Sequence, residues 1–557
     1  MNACSREEPE PWNGPVLTPS RDQLTVEQLN RPDTPPLLDM SYFAQPDWAQ
    51  EAGQPFSGSI SFAETEMIFP KDRDPYAGED LFPRFTVEFI AHNGELILSQ
   101  QGVIDTRSQS GSFWDVMPGT GKVWREQGDE GWSRSSFPLN LTDRGYLGQV
   151  RNCIATFVYN EDAISNVYVQ CSQETADIQA QQVGNIRAMV PAAYEPRVLS
   201  DAGRIIDQHA KFRSRRTPVY PLSKIDDDGE IADYFNKSLW TNASTSVGAV
   251  LMDGKLYVNP PRTRHGAYPY PSEMRHGVYS VTKSMAGALA IFYFAERYGA
   301  DVFDELITDY VPALADRPGW QGVTFSHALN MATGVRAGEA GELLLHPLVL
   351  ATTKEDAIDQ IAQLGDYPEA PGEKFNYATT NTFVLSYALQ NYVEEREGAN
   401  VRYWDFVHED VLTPIGAEDF RVLYTRDKEE SVRIPFLGYG ALPTLDNAAK
   451  IALLISNEGV HEGRQLLNRE KIREAFGRTE WAGYQVGNWP LRYRHSFWSK
   501  GVRTGNCNVD VVFMEGHGSN HVLFLPSGAI VFRFMDEFDK DFDALVRGVE
   551  RIRSSCQ

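Results

Sequence analysis

Ser280 and Lys283 are the residues whose types and spacing most directly suggest chemistry. They lie three positions apart, just before the apolar run from Met285 to Ala295. If a helix begins at Ser280, one turn places the serine hydroxyl and the lysine amine on the same face. A serine hydroxyl is a poor nucleophile until a neighbouring group removes its proton, and an amine can do so. The pair predicts nucleophilic catalysis, although a helix cap followed by a surface lysine would have the same spacing.

Three further segments follow Ser280-Val-Thr-Lys283 in a fixed order. They are Ser326-His-Ala-Leu-Asn-Met-Ala-Thr-Gly334, Pro371-Gly-Glu-Lys-Phe-Asn-Tyr377 and Gly516-His-Gly-Ser-Asn520. With these four segments, residues 236–557 resemble the serine β-lactamase and penicillin-binding-protein superfamily, in particular its class C-like branch of esterases and 6-aminohexanoate-dimer hydrolases. The resemblance implies an acyl-enzyme on Ser280, a structural role for the second segment and a Tyr377 that points at the nucleophile. Within these segments we expect Gly334 to end a helix, Pro371-Gly372 to form a turn and Phe375 to be an apolar anchor.

The resemblance leaves two residues able to act as the base. Lys283 would favour the phenolate of Tyr377 by its charge, while desolvation would favour neutral lysine. Because the two titrations are coupled, the sequence does not decide which residue takes the proton. The resemblance also implies an oxyanion hole made by the backbone N–H of Ser280 and that of Ser519 or Asn520. No metal or cofactor is expected.

Two positions depart from the family pattern and move the expected substrate away from β-lactams. Thr379 stands where asparagine is frequent, so a contact with a substrate amide carbonyl is in doubt, and Asn381 could replace it only if the loop were shifted. His517 stands where lactamases carry lysine, and histidine is mostly uncharged at neutral pH. We expect His517 to orient Tyr377 or the substrate, the other interpretation being a strand-edge histidine with no role.

The leading prediction is therefore a serine hydrolase that cleaves a carboxylic ester. The alternatives are an amidase for small linear amides, a β-lactamase or D,D-peptidase-like enzyme, and an inactive binding protein.

The composition indicates a folded, acidic protein of more than one domain. The 557 residues are 42% hydrophobic and 11% aromatic, with a formal net charge of -24. A chain of this length is too long for one ordinary core. Its charge repels phosphate backbones and anionic lipid, so we expect neither nucleic-acid binding nor attraction to a membrane surface. The resemblance implies a small-molecule ester or amide as the partner.

Sequence patterning divides the chain into four regions. Residues 1–54 are rich in proline and predict an extended arm. Residues 55–183 predict an all-β, sandwich-like domain of unknown role, with a hairpin turn at Asn93-Gly94. Residues 184–235 form a connector whose arginines 213, 215 and 216 predict a solvated or interdomain-packing cluster. Residues 236–557 begin and end with strands and carry helices between them, which predicts an α+β domain with one antiparallel sheet, flanking helices and a helical subdomain.

The positions of the cysteines help to predict the cellular compartment. Cys153 and Cys171 flank two β-rich runs that would form a hairpin centred on Asp162, so they would stand opposite each other, either bridged or as two unpaired buried cysteines. Cys4 follows a small residue and precedes a polar tether, as in a bacterial lipoprotein after signal removal. This predicts a periplasmic or cell-envelope protein tethered through Cys4, the alternative being an exposed cysteine in a cytoplasmic protein.

Overall fold

The chain folds around two large β-sheets, with most of its helices packed on the second. The computed structural model describes residues 17, 21–69, 77–100, 102–143, 148–174, 186–237, 245–335, 348, 351–364, 368–505, 507–535, 539 and 541–556. Within these residues the predicted α+β architecture, with an all-β region before it, is confirmed.

The first sheet has ten strands and is antiparallel throughout. Its order is β11-β10-β9-β8-β7-β5-β4-β1-β12, and β6 pairs with β8. The predicted turn Asn93-Gly94 joins β4 to β5, and both residues have positive φ, at 50° and 78°. The sheet continues past residue 183 to Pro196, because β12 pairs with β1. The strands of this region are β1 (Ser57–Phe62), β2 (Thr65–Glu66), β3 (Leu81–Phe82), β4 (Phe85–His92), β5 (Glu95–Leu98), β6 (Trp114–Pro118), β7 (Gly121–Trp124), β8 (Ser133–Asp143), β9 (Val150–Tyr159), β10 (Val167–Glu174), β11 (Arg187–Val190) and β12 (Ala192–Pro196).

Strand β9 is buried on both faces and shows how this sheet packs. Cys153 and Phe157 belong to the sheet's own core, whereas Ile154 and Val158 belong to the core shared with the rest of the chain. This is the period-two alternation of a strand between two apolar layers. Cys153 pairs with Cys171 of β10 as predicted, and the two form a disulfide.

Part of the predicted proline-rich arm packs against this structure. Leu24, Leu29, Met40 and Phe43 are all fully buried in the shared core. The backbone N–H of Met40 also donates to the carbonyl of His265, at 2.7 Å. These apolar side chains hold the described part of the arm in place.

The second sheet has nine strands in the order β13-β15-β14-β25-β24-β23-β22-β21-β20. Its first long strand, β14, pairs with its last, β25, so the two ends of the region meet as predicted. Only the β13–β15 pair is parallel among the described strands of this sheet. The remaining strands of the chain are β13 (Val219–Pro221), β14 (Thr245–Met252), β15 (Lys255–Asn259), β16 (Arg262–Thr263), β17 (Gly266–Ala267), β18 (Val460–His461), β19 (Arg464–Gln465), β20 (Tyr484–Gln485), β21 (Arg492–Arg494), β22 (Phe497–Thr504), β23 (Cys507–Gly516), β24 (Asn520–Phe524) and β25 (Ile530–Met535).

Helices cover both faces of the second sheet. Helices α3 and α13 pack on one face, and α4, α9 and α11 contribute to the core on the other. No described helix combines the length and apolarity needed to cross a membrane. The α-helices are α1 (Val26–Leu29), α2 (Ala202–Ser214), α3 (Glu230–Asn236), α4 (Leu289–Tyr298), α5 (Ile307–Tyr310), α6 (Pro312–Ala315), α7 (Phe325–Leu329), α8 (Lys354–Ile361), α9 (Thr379–Glu397), α10 (Tyr403–Val407), α11 (Leu445–Ser456), α12 (Arg469–Ala475) and α13 (Asp543–Ile552).

A second disulfide joins Cys507 to Cys556, a pair that the sequence pattern did not indicate. Cys507 begins β23, and Cys556 follows α13 near the end of the chain. The bond therefore fastens the C-terminal segment to the sheet that carries the Gly516–Asn520 turn.

Candidate active site

Ser280 lies in a tight turn at the entrance to a long helix. Tyr279, immediately before it, has a φ of 45°, a left-handed conformation that is uncommon for a bulky residue. The helix begins at Val281, passes through a π-helical segment at Lys283–Ala288 and continues as α4. π-Helical segments occur frequently at functional sites. The predicted helix therefore starts one residue later than Ser280, but the serine and lysine still lie on the same side.

Lys283 is buried and its amine faces three oxygen atoms. The Nζ atom lies 2.8 Å from Ser280 Oγ, 3.0 Å from Thr379 Oγ1 and 2.9 Å from the carbonyl oxygen of Gly438. The side chain is only 1% exposed. A carbonyl can only accept hydrogen bonds, and a hydroxyl can do so. A neutral amine could therefore donate to Gly438 and Thr379 and keep its lone pair for the Ser280 hydroxyl.

Gly438 places its carbonyl close to the lysine because it has no side chain. A Cβ atom there would lie 2.5 Å from Thr379 Cγ2 and 2.9 Å from Thr382 Oγ1. The backbone of this segment thus packs directly on the first turn of α9. Sequence reasoning missed Gly438, since a backbone carbonyl that binds a lysine leaves no signal in residue type.

Thr379 and Asn381 point in different directions from the start of α9. The Thr379 hydroxyl accepts a hydrogen bond from Lys283, and the residue is 4% exposed. Asn381 is buried, and its Oδ1 accepts a hydrogen bond from Thr333 Oγ1 at 3.4 Å. The amide of Asn381 is therefore directed toward the Thr333 segment, while Thr379 lies beside the lysine.

Tyr377 is half-buried, and its ring lies beside Lys283. Lys283 Nζ is 4.8 Å from the centre of the Tyr377 ring. The ring also packs against Trp498, with 5.8 Å between centroids. Phe375, predicted as an apolar anchor, contacts the same Trp498 ring at 5.8 Å. The structure thus brings the predicted serine, lysine and tyrosine together.

The segment before Tyr377 is held by the predicted second segment. The backbone N–H groups of Asn376 and Gly372 donate to the carbonyls of Met331 and Ala332, at 2.7 and 2.8 Å. Gly334 has a φ of 80°, and a Cβ there would lie 2.3 Å from the carbonyl oxygen of Glu369. The expectation that Gly334 ends a helix is wrong, because α7 already ends at Leu329. The glycine instead allows close packing of two backbone segments.

The turn from β23 to β24 lies against the backbone of Ser280. A Cβ on Gly516 would be 2.1 Å from the carbonyl oxygen of Val278 and 3.2 Å from the backbone nitrogen of Ser280. Ser519 is buried with a φ of 64°. The Asn520 side chain donates to the carbonyl of His517 at 2.7 Å, and its Oδ1 accepts from the Met535 N–H. The Asn520 amide therefore holds the turn itself.

His517 is exposed at the tip of this turn. Its ring lies 5.4 Å from the ring of Tyr279, in an edge-on arrangement. Through this contact the histidine lies next to the residue that precedes Ser280, rather than deep in the sheet.

The first sheet supports the backbone that leads to Ser280. Asn152 Nδ2 donates to the carbonyl of Arg275 and Asn152 Oδ1 accepts from the Arg275 N–H, both at 2.9 Å. The Tyr270 hydroxyl donates to the carbonyl of Ser136 at 2.7 Å. The sheet therefore holds the segment that leads to Ser280 through the backbone of Arg275 and the side chain of Tyr270.

Comparisons with known proteins follow the same division of the chain. A family model described as Beta-lactamase matches residues 245–535, just over half of the chain. No curated protein matches the chain significantly. Similar solved structures include a family VIII carboxylesterase, with 16% identity over 61% of this chain and 98% of that one and a TM-score of 0.45. A penicillin-binding-protein homologue from Caulobacter crescentus has 14% identity over 59% and 98%, with a TM-score of 0.44. A class C beta-lactamase has 14% identity over 63% and 98%, with a TM-score of 0.41.

Proposed function

Because the chain belongs to the beta-lactamase family, we propose that it hydrolyses a carboxylic ester through an acyl-enzyme on Ser280. The observation that carries the proposal is the direct contact between Lys283 Nζ and Ser280 Oγ at 2.8 Å, with two further acceptors holding the amine in place. A nucleophile within hydrogen-bond reach of a base that is itself oriented by other groups is the arrangement that acyl transfer requires.

In the proposed first step, neutral Lys283 takes the proton of Ser280 while Oγ bonds to the ester carbonyl carbon. Negative charge develops on the carbonyl oxygen, where the backbone N–H of Ser280 and that of Ser519 or Asn520 would donate to it. The C–O bond to the alcohol then breaks, and the alcohol leaves with the proton that Lys283 took from Ser280, passed on directly or through the Tyr377 hydroxyl.

In the second step, water attacks the acyl-enzyme and loses its proton to the same base. The carboxylic acid is released, and Ser280 recovers its hydrogen.

Two features favour an ester over a β-lactam or an amide. The Thr379 hydroxyl is occupied by Lys283, and the Asn381 amide is directed toward Thr333, so neither side chain is arranged as an amide-binding group. Position 517 carries histidine where lactamases carry lysine, so the site lacks the permanent cation that a lysine would offer to a substrate carboxylate.

A short-chain p-nitrophenyl ester and a fluorophosphonate probe test this proposal together. We expect turnover of the ester, with the phosphonate attached to Ser280 as located by mass spectrometry, and we expect both to disappear in Ser280→Ala. Absence of turnover and of label in the folded wild-type protein would contradict the hydrolase assignment. A larger kcat/KM for an amide than for its matched ester would show that the protein is an amidase rather than an esterase.

We also propose that the protein works in the periplasm or cell envelope. Its two disulfides, Cys153–Cys171 and Cys507–Cys556, are of a kind that persists in oxidising compartments. Cys4, the predicted membrane tether, lies outside the described residues. Fractionation of the native host and the mass of the N-terminal peptide test the idea, and an unmodified protein in the cytoplasm would end it.

A further inference from the structure

A cavity of about 410 Å³ lies where the first sheet, helix α2 and the second sheet meet. Its volume is within the range of small-molecule pockets, roughly 300–1,000 Å³. Much of its wall is apolar and comes from Pro218, Val219, Leu256, Val258 and Pro261. None of Ser280, Lys283 and Tyr377 lines it, so it is distinct from the candidate active site.

Two ion pairs form part of the polar side of this cavity. Arg213 pairs with Glu95 of the first sheet, and Arg216 pairs with Glu273 of the segment leading to the nucleophile. These arginines belong to the cluster that the sequence predicted to be solvated or to pack between domains, and here each pairs with an acidic residue of a different segment. Their charges are therefore already balanced.

The remaining acidic and imidazole groups of the wall are also accounted for. Asp446 pairs with Lys450, with 2.6 Å between Oδ2 and Nζ. His209 is 4% exposed, and its Nε2 lies 3.1 Å from Glu95 Oε2. Burial is the main cause that lowers the pKa of His209, so the ring is neutral near pH 7 and adds no charge.

Lys122 is the cationic residue of the cavity wall that takes no part in these ion pairs. It stands directly opposite Glu95 in the β5–β7 pair, where opposite charges would normally interact. Both oxygens of Glu95 are already taken, Oε1 by Arg213 and Oε2 by His209. Among the described residues Lys122 has no carboxylate within ion-pair distance, so the cavity combines apolar walls with one unbalanced positive charge.

We propose that this cavity binds a small apolar monocarboxylate, with the carboxylate on the Lys122 ammonium and the apolar body against the Val219 and Val258 wall. The charge requirement selects one anionic group, and the apolar wall selects a hydrocarbon body over a sugar or a phosphate. The site does not depend on the proposed esterase activity, so either proposal can fail without the other.

Isothermal titration of the full-length protein with hexanoate tests the site, with hexan-1-ol as the uncharged analogue. We expect saturable one-to-one binding of hexanoate and binding of hexanol that is weaker by about tenfold or more, as for the loss of one charge-assisted hydrogen bond. Lys122→Met, which keeps the chain length and removes the charge, should weaken hexanoate binding by a similar factor. Lys224→Met, at an exposed lysine outside the cavity, should leave it unchanged.

A second variant keeps the test independent of the charge change. Val219→Trp fills the half-buried apolar wall and should abolish hexanoate binding, while circular dichroism reports whether the protein remains folded. Equal binding of hexanoate to the wild type and to Lys122→Met, equal binding of hexanol, or no saturable binding at all would each overturn the proposal. Unchanged binding to a folded Val219→Trp protein would overturn it as well.

Discussion

Replacement of Lys283 by methionine is the sharpest test of the proposed chemistry. The substitution keeps the length of the side chain but removes the atom that lies 2.8 Å from Ser280 Oγ. General bases contribute roughly 10²- to 10⁴-fold to catalysis. We expect kcat/KM to fall about 10³-fold, which corresponds to a loss of about 4 kcal/mol of transition-state stabilisation.

The stability of this variant should change much less than its activity. Lys283 is 1% exposed, so the protein gives up three hydrogen bonds but no longer has to bury an amine that can carry charge. Replacing a buried ionisable group by an apolar one of similar size is often neutral or stabilising. We expect the free energy of unfolding to remain within about 2 kcal/mol of the wild-type value, since the carbonyl of Gly438 loses a partner.

The assay compares ester hydrolysis with the rate at which a fluorophosphonate labels Ser280. Both rates depend on activation of the serine, so both should fall together. Lys374→Met is the matched control, because Lys374 is exposed on the segment before Tyr377 and, among the described residues, forms an ion pair with Glu369 alone. Loss of a general base predicts a fall in kcat/KM of roughly 10²-fold or more. If Lys283→Met kept more than about a tenth of wild-type kcat/KM, Lys283 could not be the base that activates Ser280. Tyr377 would then be the remaining candidate.

Three further substitutions test parts of the structure that support the site. Gly516→Ala should lower kcat/KM about 10²-fold or more, because the new Cβ would lie 2.1 Å from the carbonyl oxygen of Val278 and must displace the turn. An unaffected steady-state rate would contradict that packing. Asn152→Leu removes both hydrogen bonds to the Arg275 backbone and should destabilise the protein by about 2–4 kcal/mol in urea unfolding. A variant as stable as the wild type would show that these bonds add nothing. His276 is fully buried, and burial followed by the charge of Arg275 lowers its pKa from 6.5 to about 3. Because the unfolded state binds the proton more readily, its contribution is complete above pH 6.5 and is lost as the pH falls toward 3, by about 2 kcal/mol at pH 5. His276→Leu should reduce the difference in unfolding free energy between pH 7 and pH 5 by that amount, and an unchanged difference would exclude His276 as its source.

The segments of the candidate site could be predicted because their signals are local. Ser280 and Lys283 are one helical turn apart, and the segment ending at Tyr377 carries a turn and an apolar anchor in the right order. The superfamily inferred from the four segments is confirmed by the family model over residues 245–535. The pairing of β14 with β25, strands from the two ends of this region of the sequence, was also predictable, because the turn Asp253-Gly254 and the last three apolar runs have clear boundaries.

Other features could not be predicted because they depend on contacts between distant segments. The carbonyl of Gly438 reaches Lys283 across 155 residues of sequence, and a carbonyl is present at every position. The place of Thr379 in the family pattern is one where a side chain would contact the substrate. Only the packing of α9 shows that its hydroxyl is directed toward the lysine. Cys507 and Cys556 are 49 residues apart, and nothing in either local pattern indicates a partner.

The first sheet is the largest element whose role the sequence did not suggest, and its packing argues against an independent module. A strand that faces solvent on one side alternates apolar and polar residues, whereas β8 and β9 are buried at every position. One face of β9 is covered by residues of the second sheet and its helices. Asn152 in turn bonds the Arg275 backbone, and the Ser136 carbonyl accepts from the Tyr270 hydroxyl. That backbone reaches Ser280 within a few residues and must place it against Gly516 with almost no free space. The first sheet therefore supports the segment that leads to Ser280. Its removal would expose a large apolar face and release the segment that carries Ser280.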